Sequence, residues 1–302
     1  MRRMLTLTIL LAAALSSCRR EEIHDDVSRY RIEIAPSYDM LYNRPAQTPK
    51  LYKVCFYRPG SGELVTECTV GENGGALYNL QAGVYDAIVY DYTFNRTKVA
   101  DNGNRQTLRA YSSPVAYKEF PVIEAPDHLF VQEFKGLSIP HISDHDPEFV
   151  IRSEPHSIID AWCLKVDGIK GLRNADIIDI YITGQTDALL FARDGEKFSG
   201  RDVAIWFEAV CDYEQGMIIT PFNTFGKMSG SFSELVLNMR IVGAGGDTYL
   251  CRADVTDQFE DPDNLEHVIS ASFDITINER KDGGMAPVTD IWTPIIEDVT
   301  LE

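Results

Sequence analysis

Period two dominates the chain. Tyr30, Ile32 and Ile34 alternate with Arg31 and Glu33, as expected of an extended strand whose successive side chains point to opposite faces. Leu51–Tyr57 and Leu64–Val70 flank Pro59-Gly60-Ser61-Gly62 and predict a hairpin. Asn73-Gly74-Gly75 is a second turn. Val84–Tyr92 is apolar on both faces and predicts a central strand. Lys98–Arg109 is polar, with a surface loop at Asp101-Asn102-Gly103-Asn104, while Tyr117–Val122 and Leu129–Phe134 supply closing strands. The same pattern returns in the second half, in Trp162/Leu164/Val166, Ile178/Ile180/Ile182 and Leu235/Leu237/Met239/Ile241. Gly243-Ala244-Gly245-Gly246-Asp247 is a hairpin turn, and Cys251 keeps phase with Tyr249, Ala253 and Val255 as a small core residue. The cleanest strand is Ile269–Ile277: Ile269, Ala271, Phe273, Ile275 and Ile277 face in, and Ser270, Ser272, Asp274 and Thr276 face out. Asp290–Leu301 reads as a last strand. Helical periodicity is confined to Asp187–Phe191, where a turn or two is expected.

Many short strands with Gly, Pro, Asn and Asp between them predict an all-β chain of two tandem antiparallel β-sandwiches. Pro140, Pro147 and Pro155 interrupt any ladder and mark a linker. The N-terminal sandwich is placed at 29–145 and the C-terminal one at 146–302.

The first eighteen residues follow a different pattern. Arg2 and Arg3 precede an apolar run, Met4–Leu15, which is shorter than the roughly 20 residues that span a bilayer. Leu15-Ser16-Ser17-Cys18 then has the order of a bacterial lipobox. Residues 1–17 are read as a lipoprotein signal peptide, Cys18 as the lipidated residue and 18–28 as a tether. Each buried methylene contributes about 0.8 kcal/mol, so two or three acyl chains on Cys18 hold a protein at a membrane that one chain would leave. No later stretch has 18 consecutive apolar residues. Glu21-Glu22 and Asp25-Asp26 resemble the acidic tags that direct lipoproteins to the cell surface, a pattern that Arg19 and Arg20 blur; the stretch reads equally as a solvated tether, and the chain is expected on the outer membrane facing the exterior.

The formal charge is -18. Cleavage before Cys18 removes Arg2 and Arg3 and no acid, which makes it -20 in the mature chain. Such a chain repels nucleic acid, and none is expected as a partner. Six cysteines less Cys18 leave an odd five. A disulfide between Cys55 and Cys68 requires a register that sets them directly opposite. A one-residue slip instead pairs Val54 and Phe56 with Cys68 and Thr66 and turns the two thiols to opposite faces; the apolar pattern favours this slip.

Candidate chemistry is sparse. His141-Ile142-Ser143-Asp144-His145-Asp146 carries metal-ligating side chains but lies in the linker without spacing that would converge two imidazoles. Asp261-Pro262-Asp263-Asn264-Leu265-Glu266 offers oxygens yet lacks the glycine and distal glutamate of a calcium loop. There is no GxSxG, no phosphate loop and no CxxC. No metal, cofactor or catalytic activity is expected. The tyrosines of Tyr85–Tyr92 and Tyr111–Tyr117 read as core and hairpin packing rather than as a sugar platform.

One resemblance covers nearly the whole mature chain. The lipobox with Cys18-Arg19-Arg20-Glu21-Glu22, Leu80-Gln81-Ala82-Gly83-Val84-Tyr85, Phe222-Asn223-Thr224-Phe225-Gly226, Ala253-Asp254-Val255-Thr256-Asp257-Gln258 and the late Trp292 occur in an order that resembles the fimbrillin-like lipoproteins of Bacteroidetes. The resemblance implies transthyretin-like, Greek-key sandwiches. It also implies assembly with pilin-like subunits, or attachment to surface ligands, by β-strand addition. In the polymerising members an arginine-specific protease removes the first strand. Here that strand corresponds to Tyr30–Ala35, and the Arg44-Pro45 bond behind it resists cleavage, which favours an anchor or accessory protein over a shaft subunit. The alternative is a glycan- or ligand-binding outer-membrane lipoprotein of an uptake system.

Overall fold

The computed structural model describes residues 29–38, 48–115, 121–143, 145–192, 200–227 and 234–279. Cys18, Arg44, Trp292 and the expected strand Asp290–Leu301 lie outside them. The described chain is almost entirely β, as its period predicted.

The first half is one sheet that meets itself. β1 (Tyr30–Ile34), β2 (Leu51–Tyr57), β3 (Leu64–Gly71), β4 (Gly74–Ala76) and β5 (Gly83–Asp91) are followed, after β6 (Thr97–Ala100), β7 (Arg109–Ser112) and β8 (Val122–Glu124), by β9 (Phe130–Ile139), β10 (Phe149–Ser153) and β11 (His156–Ser157). The order across the sheet is β10-β1-β4-β3-β2-β5-β9-β11. Only Glu154 and Pro155 separate its two outermost strands. β10 runs parallel to β1, β11 pairs with β9, and Ser37 bridges to His156. The amides of Ala35 and Ser37 donate to the carbonyls of Ser153 (2.9 Å) and Pro155 (2.9 Å), and the Ser153 hydroxyl donates to Gln132 Oε1 at 3.0 Å. The sheet therefore meets itself as a barrel through the Phe149–Ser157 stretch, while β3 pairs along one side with β2 and touches β4 only at Gly71. Ile32, Ile34, Tyr52, Val54, Phe56, Leu77, Ala87, Val89 and Phe130 fill its interior. Gly74 is required where β4 crosses β1: its φ is +93°, and a Cβ there would lie 1.9 Å from the Ile32 carbonyl oxygen.

This closure departs from the expected plan. β10 falls within the predicted linker and β11 just after it, both beyond the 145/146 boundary, yet they pair with strands of the first sheet. Pro147 and Pro155 flank β10 instead of breaking it. The β2–β3 hairpin has the slipped register, with Val54 opposite Cys68, Cys55 opposite Glu67 and Phe56 opposite Thr66. The five cysteines Cys55, Cys68, Cys163, Cys211 and Cys251 are free thiols, and burial pushes Cys55 up to about 12 and Cys68 and Cys251 up to about 11.

The second half is a sandwich. β12 (Asp160–Lys170), β16 (Cys211–Asp212), β17 (Met217–Thr224) and β20 (Val268–Thr276) form a sheet in the order β16-β17-β12-β20. Facing it are β19 (Thr248–Asp254), β18 (Val236–Gly243), β13 (Ala175–Thr186), β15 (Asp202–Phe207) and the inserted β8. Trp162, Leu164, Val166, Ile180, Ile182, Phe222, Leu237, Met239, Ile269 and Phe273 fill the space between the sheets. Three pairings are parallel, β1 with β10, β12 with β20 and β15 with β8, where antiparallel sheets were expected.

A small third sheet, β6, β7 and β14 (Ala188–Leu190), joins the two halves. β14 replaces the helical turn expected at Asp187–Phe191. The outer face of the barrel, through Cys55, Tyr57, Ile88, Tyr90 and Val131, packs with Leu108, Ala110, Leu189 and Phe191 into the same core as the sandwich. The Tyr90 and Phe191 rings meet edge to face at 5.0 Å.

Candidate partner-binding edge

The resemblance implies binding through backbone pairing, so the relevant sites are strand edges. In the first sheet, β3 pairs on one side with β2 and on the other only through Gly71. β1, the strand that polymerising fimbrillins lose, sits between β10 and β4 with Ile32 and Ile34 buried. In the sandwich, β8 offers three residues and β16 two, which leaves β19 and β20 as the long borders.

β20 is built for its place by strict alternation. Ile269 and Phe273 are buried, while Ser270, Ser272, Asp274 and Thr276 are exposed. Its hydrogen-bond polarity is fixed at both ends: the Cys163 amide donates to the His267 carbonyl (2.9 Å), and the Ile277 amide donates to the Lys170 carbonyl (2.8 Å). Odd-numbered positions therefore bond to β12, and the amides and carbonyls of 268, 270, 272, 274 and 276 point outward. Gly168 marks a register irregularity in the pairing. A Cβ there would lie 2.2 Å from the Phe273 carbonyl oxygen.

Much of this outward row is occupied by side chains. Asn264 Nδ2 donates to the Val268 carbonyl (2.9 Å), and the Val268 amide donates to Asn264 Oδ1 (3.1 Å). Gln258 does the same one step along: its Nε2 donates to the Ser270 carbonyl (2.9 Å), and the Ser270 amide donates to its Oε1 (2.7 Å). At the far end the Tyr249 hydroxyl donates to the Thr276 carbonyl at 2.7 Å. Among the described residues, no bond falls on the outward amides and carbonyls of Ser272 and Asp274.

The segment that supplies the two amides is held by stacking. Gln258 lies on α1 (Thr256–Glu260), and Asn264 on the turn that follows. The Asn264 Nδ2 group also donates to the Gln258 carbonyl at 2.9 Å. Phe259 packs on Trp162 at 4.5 Å, and the His267 ring stacks on the same indole at 4.6 Å. The Asp261–Glu266 carboxylates weighed as calcium ligands belong to this turn, where Asp261 Oδ1 accepts the Asp263 amide at 2.9 Å. In the His141–Asp146 stretch, Asp146 Oδ2 accepts the Ser143 hydroxyl (2.7 Å) and amide (2.8 Å), bonds that hold its carboxyl below the usual range. Asp144 lies outside the described residues. Among the described residues no three His, Cys, Asp or Glu side chains gather as a metal site, and no helix is long and apolar enough to cross a membrane.

Of the tyrosines weighed as a sugar platform, Tyr85 and Tyr90 are buried, and Tyr92 is half-exposed beneath the Lys53 ammonium. A cavity of about 110 Å³ opens where Trp162, Gln185, Thr224, Lys227 and Glu260 meet. Lys227 and Glu260 pair across it at 2.7 Å, and Thr224 donates to Gln185. The Gln258 and Asn264 amides were missed in the sequence, because side-chain amides that imitate a strand leave no periodic trace.

The sequence matches the family described as a domain of unknown function (DUF5119) over residues 17–208, more than half of the chain. Comparison with curated proteins gives no match. Among solved structures, a candidate adhesin from Bacteroides ovatus superposes with a TM-score of 0.60 at 17% identity, covering 85% of this chain and 93% of its own. A second Bacteroides ovatus candidate adhesin gives 0.49 at 12%, covering 80% and 87%. The fimbrial anchor protein Mfa2 from Porphyromonas gingivalis gives 0.46 at 10%, covering 80% and 88%. The fold likeness rests on the first of these.

Proposed function

We propose, for a chain that belongs to the DUF5119 family and shares the fold of a Bacteroides candidate adhesin, that it is a surface lipoprotein of the fimbrial accessory or adhesin type. Cys18 carries the lipid, the mature chain faces the exterior of the outer membrane, and a protein partner is held by β-strand addition. No catalytic role is assigned to it. One observation carries the reading: β20 is a nine-residue border strand whose outward ladder groups at Ser272 and Asp274 take no bond among the described residues. An incoming strand with alternate apolar residues would satisfy those groups and cover Ala271 and Ile275, which are only partly buried against the core.

The experiment is capture of the protein from gently sheared cells that make it, with mass analysis of its partners and its mature N-terminus. A pilin-like subunit is expected beside an acylated Cys18. Ser272→Pro deletes one outward amide without touching the β12 ladder, a position where a border strand accepts proline. The partner should be lost while the fold survives. A chain that comes down alone, or a partner indifferent to Ser272→Pro, overturns strand addition at β20.

A further inference from the structure

The two side-chain amides on β20 have a consequence beyond the existence of the edge. Strand addition needs the outward amide and carbonyl of alternate residues, which is the set that Asn264 takes at Val268 and Gln258 takes at Ser270. Each amide offers one donor and one acceptor at 2.7–3.1 Å and so reproduces one step of a neighbouring strand. The two residues come from a single short segment, and Asn264 is bonded to Gln258 as well as to the edge. The block stops abruptly: Ser272 and Asp274 lie two and four residues beyond Ser270 on the same border, carry the same outward groups and receive no comparable cover among the described residues.

We infer that the segment Thr256–Glu266 is a displaceable guard on the β20 edge. Building on the strand-addition reading, a partner strand of alternating apolar residues docks first at Ser272–Asp274. It then extends toward Val268 by displacing the Gln258 amide and after it the Asn264 amide. The guard has two effects. It blunts a border that would otherwise invite pairing between copies of the chain, the hazard every long bare edge carries. It also sets a threshold, since a strand long enough to replace all four guard bonds wins where a short or poorly matched one does not. The outward face of the docked strand is selected as well. Asp274 is already paired with Lys170 at 3.3 Å, and the chain is strongly acidic, so polar or basic residues are favoured there over acidic ones.

The test uses the mature full-length protein and a fluorescent peptide with the alternation of β20 itself, the sequence from Val268 to Ile277. Anisotropy titrations compare the wild type, Gln258→Ala/Asn264→Ala, and the same pair combined with Ser272→Pro; circular dichroism melts report that each is folded. The double variant should bind the peptide at least tenfold more tightly than the wild type, and Ser272→Pro should abolish the gain. Gln258→Glu, which keeps the acceptor but loses the donor, should fall between. Equal binding by wild type and double variant overturns the guard while leaving strand addition standing. A gain that survives Ser272→Pro places docking elsewhere and overturns both, as does the absence of binding to every variant.

Discussion

Asp91 ends β5 at the mouth of the barrel and is 4% exposed. Its Oδ1 accepts the Thr93 amide at 2.7 Å, and Thr93 Oγ1 in turn accepts the amides of Lys50 (2.9 Å) and Leu51 (3.0 Å) at the start of β2. Burial raises its carboxyl to about 7, against the pull of the Thr93 bonds and with the charge of Asp127 adding to the rise. An unfolded aspartate titrates near 3.9. Between about pH 4 and pH 7 the folded chain therefore keeps a proton that the unfolded chain has released. Stability from this group is complete below about pH 4, falls as pH rises, and is gone above about pH 7. Three pH units at 1.36 kcal/mol each make the loss about 4 kcal/mol. Asp91→Asn removes the titration and preserves the acceptor for Thr93. Urea melts followed by far-ultraviolet circular dichroism between pH 4 and pH 8 should show the variant gaining on the wild type by about 4 kcal/mol across that window. Curves that stay parallel to within about 0.5 kcal/mol would refute the assignment of a buried, protonated Asp91.

Three other perturbations reach different parts of the molecule. Cys18→Ala should abolish acylation and release the protein from the membrane fraction; unchanged fractionation removes the lipid anchor from the account. Phe273→Ala empties a core aromatic of β20 that is 7% exposed and should cost about 3–5 kcal/mol in urea melts, whereas a loss under about 1 kcal/mol would mean the inward face is misassigned. Arg105 is buried between Glu133, to which it donates, and Asp86 at 4.0 Å, so Arg105→Met should cost about 3 kcal/mol by stranding the two carboxylates, and Arg105→Met/Glu133→Gln should recover part of that in a double-mutant cycle.

Strand identity was legible wherever one face is buried and the other is wet. Ile269–Ile277, the β2–β3 register and the hairpin at Gly243–Asp247 all follow from alternation, because a one-residue error would put apolar side chains in water. Closure of the barrel was not legible. It depends on Phe149–Ser153 and His156–Ser157 lying beside strands more than a hundred and about twenty-five residues earlier in the chain, and the prolines around them mask the pattern locally. Ala188–Leu190 failed for a similar reason: three residues are too few to show a period, and β7 across the third sheet is what makes them a strand. The candidate site was half legible. The wet face of β20 is written in its serines, but its hydrogen-bond polarity depends on pairing with β12, and its guard on a turn that brings Asn264 back to Val268.

On the strand-addition reading, the first-strand groove is a costly place to add a strand, because β10 and β4 hold β1 from both sides. Opening the barrel would uncover Tyr52, Val54, Phe56 and Val89, at a cost of several kcal/mol for the apolar area alone. Addition at β20 uncovers nothing. Its core side is already covered by β12 and by the facing sheet, and what a partner must displace is two amides held by four hydrogen bonds. Each such bond contributes only about 1 kcal/mol net, and the incoming backbone replaces each of them in kind. Of the long borders, β19 is tied to Thr276 by the Tyr249 hydroxyl and presents Arg252 and Asp254 outward. Among the described residues, β20 presents serines and leaves Ser272 and Asp274 open. On the proposed reading a partner strand therefore enters at those two residues rather than at the first-strand groove that the fimbrillin resemblance would have suggested.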